Sequence, residues 1–312
     1  MKIFLEIPTW LGDAVMTTPA IENIVASYPN CELIIYGSFV STRLFLNHPN
    51  VKKIIIDESK KNGFRYLNLY KDAKSVGKVD IALSFRKNFT TQYLLFFIGV
   101  KKKFVYKRYI KKEIHQVIRY NDFINTSLNI KTQPKKLKIY GYEKKISNKK
   151  TLGLNPGATY GSAKRWYPEE FAKVAIELSS EYDIVIFGGP NEDEMAKDIE
   201  KLLTKNGIKN YKNLATKTSV EELIDGISNL DLFVTNDSGP MHLAAAFNIP
   251  TVSIFGPTRF NETSQWMNDK GVLITKNLSC APCMKRICPL RHHDCMKLIT
   301  AKDVLAKIED IK

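Results

Sequence analysis

Short apolar runs and longer amphipathic stretches alternate along the chain almost without interruption. In the first half, apolar runs at Ile3–Ile7, Glu32–Tyr36, Lys53–Asp57, Asp80–Phe85 and Lys103–Tyr106 predict strands. Between them, Pro19–Tyr28, Thr42–Leu46, Tyr66–Val76, Thr91–Ile98 and His115–Leu128 carry helical spacing. The pattern lapses over Gly141–Lys150, which is lysine-rich and poor in apolar residues, as a linker would be. It then restarts. Strands are expected at Thr151–Asn155, Asp183–Phe187, Asn210–Leu214, Asp231–Thr235 and Thr251–Phe255. Helices are expected at Pro168–Glu181, Asn191–Asn206, Ser219–Ser228 and Met241–Phe247. Ser219 with Glu222, and Thr300 with Asp303, form capping-box pairs, the second opening a C-terminal helix. Such alternation implies parallel sheets covered by helices on both faces. The expected architecture is α/β: two doubly wound, Rossmann-like domains, residues 1–145 and 146–312, facing each other across a cleft.

In doubly wound sheets ligands bind beyond the carboxyl ends of strands, and the polar motifs of this chain fall at such ends. The most informative is Thr235-Asn236-Asp237-Ser238-Gly239-Pro240, between an apolar strand and a short helix. Free N–H groups and the helix dipole favour an anion there. The adjacent Asp237 suits a sugar hydroxyl better than a phosphate. A bound sugar nucleotide would satisfy both, although an ordinary strand–helix turn fits the spacing equally well. The loop Asn155–Tyr167 joins small residues to Lys164 and Arg165. It suits a diphosphate, with Lys164 as a mobile charge and Arg165 as a two-toothed donor, while Trp166 packs beneath. The alternative is a pair of surface charges before a helix. After Gly188-Gly189-Pro190, Glu192 (with Glu194 as rival) is placed to take ribose hydroxyls or simply to complement a helix dipole.

In the first domain, Gly12 follows the first strand and offers close backbone approach or a positive φ. Asp13 stands at a helix entrance, either as a general base toward an incoming hydroxyl or as a helix cap.

Charge alters this picture. The net charge is +15, and residues 101–150 hold 16 Lys and Arg against three acids, a net of +13. Such a field attracts polyanions, namely nucleic acid, anionic headgroups or a phosphorylated glycolipid, unless it is merely a solvated lysine-rich face. The longest apolar run, Tyr93–Val100, is too short to span a bilayer, and the N-terminus reads as a strand rather than a signal peptide. The cysteines are few, which favours a cytosolic setting. Cys280, Cys283, Cys288 and Cys295, beside His292 and His293, suit either a metal or a loop of buried thiols.

Taken together, GDAVMTTPA after the first strand, NPGATYGSAKRWYPEEFA, NDSGPMHLAAA with FGPT, and CAPCMKRICPLRHHDCM resemble the glycosyltransferase family 9 heptosyltransferases over nearly the whole chain. The resemblance implies a GT-B fold and inverting transfer of heptose from ADP-L-glycero-β-D-manno-heptose to the lipopolysaccharide inner core. The AKRW form and the cysteine segment favour the branch that adds the second heptose, onto heptose I. Transfer onto Kdo-lipid A remains the alternative. The resemblance further implies Asp13 as catalytic base. It places Lys164, Arg165, Glu192, Asp237, Ser238, Gly239 and His242 at the donor. Gly12 and the basic Lys101, Lys102 and Lys103 would then serve the anionic acceptor at the cytoplasmic face of the inner membrane. No tightly bound cofactor or metal is implied, although a divalent cation can assist through the diphosphate. A sugar-nucleotide-modifying enzyme of the same fold, and an RNA-binding protein with Phe104, Tyr106, Tyr109 and Tyr120 as stacking rings, are the rival classes.

Overall fold

The computed structural model describes residues 1–61 and 63–311 and divides into two compact units, residues 1–141 and 142–312. The first unit runs β1 (Lys2–Glu6), α1 (Leu11–Ser27), β2 (Glu32–Gly37), α2 (Phe39–Thr42), β3 (Val51–Ile56), α3 (Arg65–Val76), β4 (Ile81–Ser84), α4 (Phe89–Ile98), β5 (Lys102–Val105) and α5 (Gln116–Leu128). Its five strands are all parallel, in the order β3-β2-β1-β4-β5. The central strands are buried on both faces. Phe4 pairs with Ile34 on one side and Ala82 on the other, which explains why these strands are continuous apolar runs.

The second unit runs β6 (Lys150–Asn155), α6 (Pro168–Leu178), β7 (Tyr182–Ile186), α7 (Asp193–Lys205), β8 (Tyr211–Asn213), α8 (Val220–Ser228), β9 (Leu232–Asn236), α9 (Gly239–Ala246), β10 (Thr251–Ile254), α10 (Phe260–Thr263), β11 (Gly271–Ile274), α11 (Asp294–Lys297) and α12 (Ala301–Glu309). Its six parallel strands follow the order β11-β10-β9-β6-β7-β8. Counted within the unit this is the doubly wound 3-2-1-4-5-6 order, whose direction reverses between β6 and β9. In the first unit the reversal falls between β1 and β4. Both capping boxes form, at Ser219/Glu222 and Thr300/Asp303.

Two sequence expectations are corrected. The first helix starts at Leu11, eight residues before the expected Pro19, and runs straight through that proline. Pro19 has no N–H for the Val15 carbonyl. The Thr18 hydroxyl donates to that carbonyl instead, at 2.8 Å, so no buried acceptor is orphaned.

The unit boundary lies at Gly141/Tyr142 rather than after residue 145. Up to Tyr140 the chain is bound to the first unit: Lys138 N donates to Thr18 Oγ1 at 3.1 Å, and Tyr140 Oη donates to Glu22 at 2.8 Å. Gly141 then turns with φ +82°, against the Asn47 side chain, where a Cβ would not fit. Beyond it, Lys144 pairs with Asp231 and Lys145 with Asp225, each at 2.7 Å, in the second unit. The supposed linker is thus anchored by its own lysines. Strand β11 and the short helices α10 and α11 went unpredicted, because at four residues each they are too short to show periodicity.

Candidate active site

Three turns of the second unit meet at the reversal point of its sheet. They follow β6, β7 and β9. Asn155 and Asn236, the last residues of β6 and β9, hold them together. Asn236 donates to the Pro156 carbonyl at 2.7 Å and accepts from Trp166 N at 3.0 Å. Asn155 Nδ2 donates to the Gly157 carbonyl at 3.2 Å and to Ser238 Oγ at 3.3 Å. The third turn joins through Glu192. Its carboxylate accepts from Gly189 N at 2.7 Å and lies against Gly157, where a Cβ would sit 1.8 Å from Oε2. A side chain at 157 would push the Glu192 carboxylate off the Gly189 N–H. Burial raises the Glu192 pKa above its ordinary value of 4.5, opposed by the Gly189 N–H and by Arg165.

Ser238 is the N-cap of α9, but its side chain makes no capping bond. Its hydroxyl turns inward to Thr235 Oγ1 at 3.2 Å. No Ser238 side-chain bond therefore covers the N–H groups that open α9, with Gly239 as first helical residue and Pro240 next. His242 is buried in the first turn of that helix.

Lys164 ends a 3-10 turn, Ser162–Lys164, and its ammonium crosses to the β9 turn. Nζ is 2.6 Å from Asp237 Oδ2 and 3.3 Å from the Asp237 carbonyl. The same carboxylate oxygen accepts from Thr258 Oγ1 at 2.6 Å. From sequence, Lys164 and Asp237 have separate tasks, one for phosphate and one for sugar. In the folded chain they are a salt-bridged pair, with Lys164 also 4.8 Å from the centre of the Tyr160 ring. Arg165 is half-buried and donates to the Ala158 carbonyl at 3.4 Å. Trp166 is fully buried beneath the loop, as expected, with Nε1 donating to the Ile299 carbonyl at 2.8 Å.

In the first unit, Asp13 follows the carboxyl end of β1 at the reversal point of that sheet. It is the third residue of α1, half-buried, and is not the cap: Trp10 holds that position. Gly12 is helical, so of the two uses open to it, close backbone approach or a positive φ, the positive φ is not adopted. The Asp13 charge is felt by two phenols, Tyr106 and Tyr120, whose pKa values are raised chiefly by burial and further by Asp13.

Lys101, Lys102 and Lys103 are all exposed, but they stand elsewhere. Lys102 opens β5 level with Ile81, which in turn is level with Ile3. The three lysines therefore lie at the amino edge of the sheet, whereas Asp13 lies beyond its carboxyl edge. Strands of four to five residues separate those edges by roughly 15 Å. These lysines and Asp13 do not form one sugar-binding cluster.

These turns lie at the reversal point of a doubly wound sheet, the place where such sheets take ligands. The sequence profile of glycosyltransferase family 9 (heptosyltransferase) matches residues 84–293. A lipooligosaccharide heptosyltransferase 2 of Campylobacter jejuni is 44% identical, over 100% of this chain and 98% of the relative. The chain belongs to glycosyltransferase family 9. Among solved structures, a family 9 glycosyl transferase from Veillonella parvula superposes with a TM-score of 0.85 at 22% identity, covering 99% of this chain and 96% of that one. The E. coli ADP-heptose LPS heptosyltransferase II gives 0.81 at 24% identity, covering 100% and 98%. The fold of this glycosyltransferase is GT-B.

The cysteine-rich segment of the family 9 chain braces the Lys164 loop. Ala163 N donates to the Arg286 carbonyl at 3.0 Å, Tyr160 Oη to the Met284 carbonyl at 2.8 Å, and His293 Nε2 meets the Ala163 carbonyl at 2.9 Å. Cys280, Cys283, Cys288 and Cys295 are free thiols lining one cavity of about 20 Å³. Burial and the other three thiols push Cys295 up to about 11. Among the described residues no group of three His, Cys, Asp or Glu side chains is arranged to hold a metal ion.

Asn155, Asn236, Tyr160 and Thr258 stand inside the motifs singled out in the sequence but receive no role of their own there. Both asparagines close strands that flank the reversal point, a signal visible only once the strand order is known.

Proposed function

We propose that this glycosyltransferase moves heptose from ADP-heptose onto heptose I of a lipooligosaccharide or lipopolysaccharide inner core, adding the second heptose. The observation that carries this reading is the 44% identity, end to end, with a relative named lipooligosaccharide heptosyltransferase 2.

In this mechanism the acceptor hydroxyl attacks the anomeric carbon in a single displacement. Asp13 takes the hydroxyl proton as the new C–O bond forms, the bond from C1 to the diphosphate breaks on the opposite face, and ADP leaves. Inversion follows from the single displacement. Negative charge grows on the leaving diphosphate. Lys164, Arg165 and the N–H groups opening α9 at Gly239 are the stabilising donors. Lys164 exchanges part of its contact with Asp237 for phosphate oxygen, and Asp237 is thereby released toward a heptose hydroxyl. Glu192 serves the ribose. His242 shapes the floor of the donor turn from within α9. Gly12 supports the acceptor side by placing Asp13 without a side chain of its own beside it.

No tightly bound cofactor enters this reading. A divalent cation, if it arrived with the diphosphate, would add to the charge stabilisation that Lys164 and Arg165 supply. Lys101, Lys102 and Lys103 bind the anionic acceptor through its leaflet rather than its reacting sugar, with the protein peripheral at the cytoplasmic face of the inner membrane. Among the described residues no helix is long and apolar enough to cross a membrane. Nucleic acid is not a partner in this account. Tyr120 is buried and packs edge-on to Phe85 and Tyr106, which supports a core role for these rings rather than base stacking.

The test is ADP release from ADP-heptose with and without a heptose-I-bearing core acceptor. Acceptor-dependent release is expected. Release or sugar rearrangement without acceptor would point instead to an enzyme that modifies the free sugar nucleotide.

A further inference from the structure

Helix α4, FTTQYLLFFI, carries no charged side chain. Thr91, Leu94 and Leu95 bury one face against the first sheet. The opposite face carries two exposed rings, Phe89 and Phe96, with the uncharged Gln92 between them, an apolar bias unusual for a helix that water should reach. Phe89 and Phe96, seven residues apart and so on one face, are 67% and 66% exposed. Phe64, at the start of α3, is 70% exposed. These rings are not scattered. Tyr66 lies 5.7 Å from Phe64, 6.1 Å from Phe89 and 5.2 Å from Tyr93, centre to centre. Phe97 continues the row, 4.7 Å from Tyr93 and 5.1 Å from Phe96. The result is one aromatic strip over α3 and α4, and contiguous exposed apolar surface marks an interaction site.

The charge around the strip selects the partner. Residues 65–112 hold 13 Lys and Arg but only two acids, Asp72 and Asp80. Both acids are engaged, Asp72 with the Tyr36 hydroxyl and Asp80 with the Lys2 amide. Lys103 Nζ lies 5.7 Å from the centre of the Phe96 ring, and Lys74 Nζ 5.4 Å from that of Tyr70. Aromatic rings interleaved with lysines complement an anionic bilayer, in which rings settle at headgroup depth and ammonium groups meet phosphate. Two copies of this face would instead set like charge against like charge.

We propose that the outer face of α3 and α4, with Phe64, Phe89 and Phe96 as inserting rings and Lys101–Lys103 at its rim, docks on an anionic lipid bilayer. The strip runs the length of α4. It begins at the amino edge of the sheet, beside the three lysines, and ends at Phe89, beyond the carboxyl end of β4. That is also the edge on which Asp13 follows β1, so docking along the strip lays both edges of the first sheet alongside the lipid surface. The inference rests on the proposed reading of a lipid-anchored acceptor, but its test does not require turnover.

The experiment compares the full chain with a Phe89→Ser, Phe96→Ser variant in co-sedimentation with vesicles of phosphatidylglycerol and phosphatidylethanolamine, and with phosphatidylcholine alone. Both substitutions are at exposed positions, so far-UV circular dichroism and melting should match wild type. Wild type should bind the anionic vesicles, retain part of that binding in high salt, and bind phosphatidylcholine weakly. The variant should bind anionic vesicles about tenfold less and lose the salt-resistant part. Both proteins should turn over a soluble, deacylated acceptor equally. Failure of that turnover in both would undermine the proposed function and leave the docking result intact. Equal vesicle binding by the two proteins, or none by wild type, would overturn the docking face. A wild-type dimer in sedimentation velocity that the variant dissociates would assign the strip to a second copy instead.

Discussion

Lys164 Nζ stands 2.6 Å from Asp237 Oδ2, joining two turns whose residues are 73 positions apart. The pair is largely buried, with the lysine side chain 13% and the aspartate 5% exposed. Each partner neutralises the other's charge, and removing either leaves a charge stranded in a poorly solvated turn. On the proposed donor assignment, a diphosphate would have to repartner Lys164, which the Asp237 carboxylate already holds.

Lys164→Ala and Asp237→Ala should each raise the KM for donor on the order of tenfold to a hundredfold, the range for one charge-assisted hydrogen bond. The double variant should lose less than the two single losses combined, because the second removal strands nothing further. Steady-state kinetics with each substrate varied in turn reads both effects. A change confined to acceptor KM would contradict the donor assignment.

Asp13→Asn should fold as wild type and lose about 10²–10⁴ in kcat, the usual contribution of a general base. The structure sharpens this expectation, since Trp10 rather than Asp13 occupies the cap position of α1. Near-wild-type kcat in the folded variant would remove Asp13 from the chemistry.

Much of this organisation was legible in the residues. Continuous apolar strands such as Ile3–Leu5 and Leu232–Val234 mark a doubly buried parallel sheet, and the turns after β6, β7 and β9 carry their own polar punctuation. What the sequence concealed is mostly long-range. The Lys164–Asp237 pair depends on the β6–β9 adjacency, which follows from strand order and not from spacing. The amino-edge position of Lys101–Lys103 likewise needs the register of β5 on β4. Pro19 misled for a local reason: a proline normally bounds a helix, but the hydroxyl of Thr18 supplies the bond that Pro19 withholds.

Glu192 offers a pH signature. Its pKa is raised from 4.5, mainly by burial, so the folded chain holds a proton that the unfolded chain has already released. The resulting stabilisation is complete below about pH 4.5 and is lost as pH rises through the folded-state value. Glu192→Gln should abolish that part of the slope. Urea unfolding from pH 4 to pH 7 should show the variant gaining stability relative to wild type as pH rises. The opposite trend would contradict the burial argument.

Replacing Lys101, Lys102 and Lys103 together by Gln should weaken binding to anionic vesicles by about 1 kcal/mol per lysine at low salt and flatten the salt dependence. Free ADP should bind as before, because these residues lie at the amino edge of the first sheet. Identical vesicle binding across salt concentrations would make them solvating charges only.

The cysteine segment should not house a metal required for catalysis. Both ring nitrogens of His293 are engaged, by Tyr167 and by the Ala163 carbonyl, and His292 Nδ1 takes the Asp294 amide. Turnover should therefore survive treatment with a strong zinc chelator. Stoichiometric zinc by elemental analysis, with activity lost on chelation and restored by zinc, would contradict this.

Acceptor choice tests the central claim most directly. Purified wild-type protein would be incubated with ADP-heptose and either a Kdo-terminated acceptor or one bearing heptose I, and the products weighed by mass spectrometry. The account predicts a gain of one heptose on the heptose-I acceptor and no gain on the Kdo-terminated one. Transfer to the Kdo-terminated acceptor alone, or to neither, would contradict it.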